Sequence, residues 1–207
     1  MTARWVRILL WGLVVLLAVF YLYVRSAAGA VNRMDYRGAD LGLIPAPSFE
    51  LTNQEGKIRR LEDYRGRAVL LTFLDGHCKD VCPLTLQAMA DVEKILGRDR
   101  GRVALVAISV NPWLDKVGEP AYVAQKGPSP KVWDFLTGTE EELRPVWKAY
   151  RVQVAETSVG KFTFNQAHDT GFFILDPQGR QYRYIQSDVN PSLVVELLRE
   201  ALAGEAR

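Results

Sequence analysis

Cys78 and Cys82 are the only cysteines in a chain of 207 residues, and three residues separate them in Cys78-Lys79-Asp80-Val81-Cys82-Pro83. A thiol pair does one of two kinds of chemistry: it forms a disulfide, or as thiolates it holds a soft metal ion. Dedicated exchange sites usually separate their thiols by two residues. Three intervening residues put the sulfurs one helical turn apart, or let Cys78 lie in a loop above Cys82, which leaves room for an ion and still permits a disulfide. Two thiolates and one imidazole suit Cu(I) and also hold Cu(II), so a metal site needs a nitrogen ligand from elsewhere. The chain has two histidines, His77 and His168. His77 adjoins Cys78, and adjacent side chains point apart, so it reads as a surface residue. His168, in Asn165-Gln166-Ala167-His168-Asp169-Thr170, is the candidate third ligand. A lone loop histidine is idle more often than not, and a spaced cysteine pair can be merely structural. The conjunction of the two is what points to a site.

The elements around these residues follow from pattern. Arg67 to Leu74 is mostly apolar and reads as a buried central strand ending just before the cysteines. Pro83 suits the first turn of a helix, where its missing N–H is no loss; Leu86, Met89, Val92 and Leu96 then recur at helical spacing, and Gly97 stops the run. Val103–Ile108 is a second buried strand, followed by Ser109-Val110-Asn111-Pro112. Thr139 and Glu142 form a capping box for a helix running to Tyr150. Phe172–Leu175, the turn Pro177-Gln178-Gly179-Arg180 and Gln181–Ile185 read as a hairpin, and Asn190 and Pro191 open a last helix. Upstream, Phe49–Thr52, Asn53–Gly56 and Lys57–Arg59 read as strand, turn and strand. Strand pairs at both ends around β-α-β crossovers predict an α/β sandwich with a mixed central sheet, and a thiol pair at the start of the first crossover helix is the thioredoxin arrangement. In that fold the loop before the strand at Phe172 faces the helix start, and a redox thioredoxin carries a cis-proline there. This chain has Thr170, with His168 two residues earlier, which fits a ligand site. A helix N-terminus favours thiolate whichever chemistry follows, so location alone leaves redox and metal binding both open.

With 48% hydrophobic and 24% charged residues and a formal net charge of +2, the composition is that of a globular domain with a short extra segment. No basic stripe with interleaved aromatics is present, which argues against nucleic acid. The extra segment is N-terminal: Ile8 to Val24 carries no charge, Arg4 and Arg7 precede it, and Trp5, Trp11, Tyr21 and Tyr23 flank it. Its seventeen residues reach the lower end of a bilayer span and exceed a secretory apolar core of about 7 to 15 residues. An uncleaved transmembrane anchor is therefore expected over residues 1–25. A cleaved signal peptide ending near Ala28-Gly29-Ala30 is the competing reading. Residues 26–45 read as a tether and 46–207 as the thioredoxin-like domain. Either reading exports the domain, to the periplasmic side of a bacterial inner membrane, where a thiol pair must be kept reduced or shielded by metal.

The chain resembles the Sco/SenC family of membrane-tethered, thioredoxin-fold copper proteins. The resemblance is carried by His77-Cys78-Lys79-Asp80-Val81-Cys82-Pro83, Ser109-Val110-Asn111-Pro112, Leu136-Thr137-Gly138, and His168 ahead of Phe173-Ile174-Leu175-Asp176-Pro177-Gln178-Gly179. It implies that Cys78, Cys82 and His168 bind one copper ion. It also implies that the protein serves assembly of the dinuclear copper centre in subunit II of cytochrome c oxidase, by delivering copper or by reducing the target cysteines. Lys79 stands where that family usually has proline, and Asn111 where it usually has aspartate. Neither change removes a ligand. The alternative from another class is a membrane-tethered thiol-disulfide oxidoreductase, with Cys78 and Cys82 as the redox pair and metal incidental. A peroxidase is disfavoured, because no Thr-rich, Arg-assisted setting surrounds either cysteine.

Overall fold

The structure is a computed structural model that describes residues 2–31, 37–79, 81–156, 162–164 and 171–204. The chain forms two units, Met1–Tyr36 and Arg37–Arg207. The first is one helix, α1 (Thr2–Val31), whose described side chains from Leu10 to Tyr23 are all exposed. Judged on the described residues, no helix is long and apolar enough to cross a membrane. The apolar run includes Leu9 and Val24, whose side chains are not among those described.

The second unit is built on an eight-stranded sheet in the order β1-β10-β9-β4-β5-β6-β2-β3. Its strands are β1 (Ala39–Pro45), β2 (Glu50–Asn53), β3 (Ile58–Arg60), β4 (Ala68–Leu74), β5 (Val103–Ser109), β6 (Asp134–Thr137), β9 (Gly171–Leu175) and β10 (Arg180–Gln186). A separate ribbon pairs β7 (Val154–Glu156) with β8 (Phe162–Phe164). The sheet is mixed: β4, β5 and β6 run parallel, and the other neighbours pair antiparallel. Strands β4 and β5 are buried at every position because both faces are covered.

Alternation along these two strands separates two cores. Leu70, Leu74, Leu105 and Ala107 face α2 (Val81–Leu96) and α5 (Pro191–Ala203), packing with Leu86, Met89, Val92, Leu197 and Leu198. Val69, Leu71, Phe73, Val106 and Ile108 face α4 (Glu140–Ala149) through Leu143, Val146 and Trp147. The capping box at Thr139 is formed: its hydroxyl accepts from the Glu142 N–H at 3.3 Å, and its own N–H donates to the Glu142 carboxylate at 2.7 Å. Asn190 likewise caps α5 by accepting from the Ser192 N–H, with Pro191 at the first helical position.

The thioredoxin-like sandwich expected from the patterning is thus present, with additions. Strand β1 falls in the stretch read as tether; it pairs with β10 across a bulge between Asp40 and Ile44. Strand β6 and the short helix α3 (Tyr122–Lys126) had no sequence reading as elements. Because β4, β5 and β6 are parallel and β9 opposes them, the ends Leu74, Ser109 and Thr137 and the start Gly171 share one edge of the sheet.

Candidate metal centre

Chain leaving β4 makes a tight turn before α2, with the Cys78 N–H donating to the Asp75 carbonyl at 3.2 Å. Cys78 therefore lies in the loop and is half-buried, while Cys82 lies in the first turn of α2, facing the core at 3% exposure. The two are hydrogen-bonded and not joined as a disulfide. The Cys82 thiol is pushed far above the ordinary cysteine range, first by that bond to Cys78, then by burial and by negative charge on Cys78; a backbone hydrogen bond from Asp75 pulls weakly the other way. The helix start was expected to favour thiolate at both cysteines. At Cys82 contact and burial outweigh it, so the buried sulfur holds its proton.

A polar cluster fixes this loop from beneath. Asp75 Oδ1 accepts from the His77 N–H at 2.8 Å and from the Asn111 side-chain amide at 3.0 Å. Asp115, whose side chain is wholly buried, reaches under the loop: its Oδ2 accepts from the Gly76 N–H at 3.0 Å and from Ser109 Oγ at 2.6 Å, and its Oδ1 lies 3.1 Å from His77 Nδ1. Gly76 permits this approach, because a Cβ there would run into the Asp115 carboxylate. Burial pushes the Asp115 carboxyl up, and the bonds from Ser109, Gly76 and His77 offset this only in part. Trp147 Nε1 donates to the Ser109 carbonyl at 2.9 Å and ties the cluster to α4.

His77 departs from its sequence reading. It is half-buried rather than a free surface ring: Asp115 holds Nδ1, and the ring stacks on Tyr122 with centroids 5.3 Å apart and planes 4° from parallel. The Asp75–His77–Asp115 grouping had no sequence reading at all. The signals available were an aspartate directly after a mostly apolar strand and a glycine flanked by Asp75 and His77. Asn111, where aspartate was expected from the resemblance, donates to Asp75, so a carboxylate is kept at this edge on the neighbouring loop.

His168 lies outside the described residues, as do Asp80, Asp169 and Thr170. Three residues after His168, Gly171 is fixed: its carbonyl accepts from Thr72 Oγ1 at 2.8 Å, and Tyr184 packs against its Cα so closely that a Cβ would collide with the ring. Among the indoles, Trp147 is buried, and Trp113 and Trp133 pack half-buried against the two cores.

The SCO1/SenC family model matches residues 42–203. A SCO2-like protein of Rickettsia felis is 26% identical over 154 residues, spanning 73% of this chain and 74% of its own. The structure of Bradyrhizobium japonicum ScoI with copper bound superposes with a TM-score of 0.64 at 26% identity, covering 76% of this chain and 99% of that one. BsSco, a member of the Sco family of cytochrome c oxidase assembly proteins in which a disulfide switch was identified, shares the fold with a TM-score of 0.66 at 24% identity, over 80% of this chain and 97% of its own. With the cysteine loop, both crossover helices and nearly the whole sheet inside the matched stretch, the chain belongs to the SCO1/SenC family.

Proposed function

We propose that this chain is a copper-binding assembly factor for cytochrome c oxidase, with Cys78, Cys82 and His168 as the ligands of a cuprous ion. The observation that carries the reading is the Cys78–Cys82 contact at the start of α2, with Cys78 half-buried and Cys82 buried. Two sulfurs so placed suit a soft, low-coordinate cation. Chain connectivity supports the third ligand: His168 is three residues from Gly171 in sequence, and Gly171 opens β9 on the sheet edge that also carries the cysteine loop.

The ion is cargo, and transfer is ligand exchange. An acceptor thiolate attacks from the Cys78 side, the sulfurs of this chain leave one at a time, and the ion is never released to water. The acceptor on this reading is the dinuclear copper centre of oxidase subunit II. The charge-free run Ile8–Val24 and its exposed apolar side chains support α1 as a transmembrane anchor. That anchor holds the domain on the outer face of a bacterial inner membrane and raises its concentration where the oxidase is assembled. Alkaline extraction of membranes, which strips peripheral proteins and leaves anchored ones, tests the anchor.

The same sulfur asymmetry favours a second reading, reduction of the acceptor's disulfide. Cys78 thiolate attacks one acceptor sulfur and expels the other as thiolate. Cys82 then gives up its proton and attacks Cys78 Sγ, releasing the acceptor dithiol and leaving this chain as a disulfide, which an exported thiol reductant resets. His168→Ala separates the two. Under the copper reading, Cu(I) affinity falls at least tenfold and oxidase assembly fails while thiol exchange with a disulfide persists. Normal oxidase assembly by the variant would sink the copper reading.

A further inference from the structure

Asp75 and Asp115 face one another across the loop that carries Cys78, and among the described residues neither is ion-paired with lysine or arginine. Among the described residues, the basic group in the cluster is the imidazole of His77. One ligand atom from each of Asp75, His77 and Asp115 lies within 4.8 Å of the other two. The His77 Nδ1 to Asp115 Oδ1 separation is 3.1 Å. Two donors sharing one ion at about 2.0 to 2.2 Å stand on the order of 3 Å apart, so the spacing fits coordination as well as it fits a hydrogen bond. The ring is held in place by Tyr122 on one face, and the Asp115 carboxylate is pinned by Ser109 and by the Gly76 N–H through its other oxygen, which leaves Oδ1 directed at the histidine.

We infer that Asp75, His77 and Asp115 form a second metal site, of nitrogen–oxygen character, beside the sulfur pair, and that it takes a divalent ion of the Cu(II) class. Two carboxylates balance the charge of such an ion. Oxygen and imidazole donors prefer it to Cu(I), whereas the thiolates suit Cu(I) best and also hold Cu(II), so the nitrogen–oxygen site is the one restricted to the oxidised ion. The wholly buried carboxylate sets this cluster apart from an ordinary acidic surface patch, since a buried negative charge gains most from a bound cation. The site stands whichever task the cysteines perform, because none of its ligands is a sulfur.

The test uses the full-length chain with Cys78→Ser and Cys82→Ser, which removes the soft site, titrated with Cu(II) alone and read by electron paramagnetic resonance. The expected result is one bound equivalent, coupled to a single imidazole nitrogen and without a sulfur-to-copper charge-transfer band. Adding His77→Gln, or separately Asp115→Asn, weakens that binding at least tenfold, while adding His168→Ala leaves it unchanged. Asp75→Asn serves as a third variant should Asp115→Asn fail to fold. Absence of a bound equivalent overturns the inference, as does binding indifferent to His77→Gln. Loss of binding on His168→Ala also overturns it, by assigning the ion to the remnant of the sulfur site. The copper-cargo reading fails differently, through Cu(I) binding by the unmutated chain that ignores His168.

Discussion

Gly76→Ala is the sharpest test of how the cysteine loop is supported. The methyl would overlap Asp115 Oδ1 and stand 2.9 Å from Asp115 Cγ and 3.2 Å from the Ala121 Cβ. Backbone strain plays no part, because Gly76 is not among the residues with positive φ. The carboxylate must withdraw, and it is held by three groups: Gly76 N–H, Ser109 Oγ and the His77 ring. Overpacking a tight site costs about 1 to 3 kcal/mol, and losing one hydrogen bond to a buried charge about 1.5 to 3 kcal/mol. The two overlap, because withdrawal relieves the clash by breaking the bond, so the expected loss is about 3 kcal/mol. Asp115→Ala removes the obstacle and strands Gly76 N–H and Ser109 Oγ, at a cost of about 2 to 4 kcal/mol. Once it is in place, Gly76→Ala should add less than about 0.5 kcal/mol, which makes the pair strongly non-additive. Urea denaturation followed by tryptophan emission measures all four corners of the cycle, and Trp147, bonded to the Ser109 carbonyl, sits beside the perturbation. Additive losses would refute the claim that Asp115 and Gly76 are in contact.

Three further outcomes follow from other parts of the domain. Iodoacetamide at neutral pH should modify Cys78 well before Cys82, because Cys82 is buried and holds its proton; mass spectrometry of time points reads the order, and equal rates would contradict the asymmetry. Burial alone would raise the Glu93 carboxyl, but the Lys131 and Val132 N–H groups and the Arg100 guanidinium hold it below its usual range. Its contribution is therefore present above the unfolded value of about 4.3 and lost as pH falls through the folded one, so Glu93→Gln should destabilise by about 1 kcal/mol at pH 7, with the gap to the parent closing below about pH 4. Asp134 accepts from Asn53 at 2.7 Å and from the Tyr64 hydroxyl at 2.9 Å. Asp134→Ala should cost about 2 to 3 kcal/mol. It should also lower the Tyr64 phenol, which burial first and then the Asp134 charge push upward, in a spectrophotometric alkaline titration.

The parts of this fold that could be read from sequence are those whose signal is local. Strands β4 and β5 announce themselves as apolar runs because each is buried on both faces. Helices α4 and α5 carry their caps in the letters Thr139, Glu142 and Asn190. Strand β1 had no such signal: it lies at the sheet edge, five of its seven residues are exposed, and only pairing with β10 makes it a strand. Strand β6 is four residues long and opens on Asp134, whose place depends on Asn53 and Tyr64 some seventy to eighty positions away. The cysteine pair was legible because both cysteines sit in one motif. The Asp75–His77–Asp115 cluster was not, because Asp115 arrives from the turn after β5, and no spacing rule joins it to the residues after β4.

The unequal cysteines bear on why a metal suits this site better than two free thiolates. The N-terminus of α2 offers a charge at its first turn typically 0.3 to 1 kcal/mol, and about 2 kcal/mol in favourable buried geometry. Putting a second anion beside the first, on a sulfur that is 3% exposed, opposes this with a desolvation penalty of several kcal/mol. The upward push on Cys82 expresses the refusal of a second charge there. On the proposed reading, a cuprous ion placed between the sulfurs would supply the missing positive charge and take the place of the Cys82 proton, so that both sulfurs would become thiolate together. The contact that makes Cys82 a poor nucleophile would, for the same electrostatic reason, make the pair a good ligand for a soft cation.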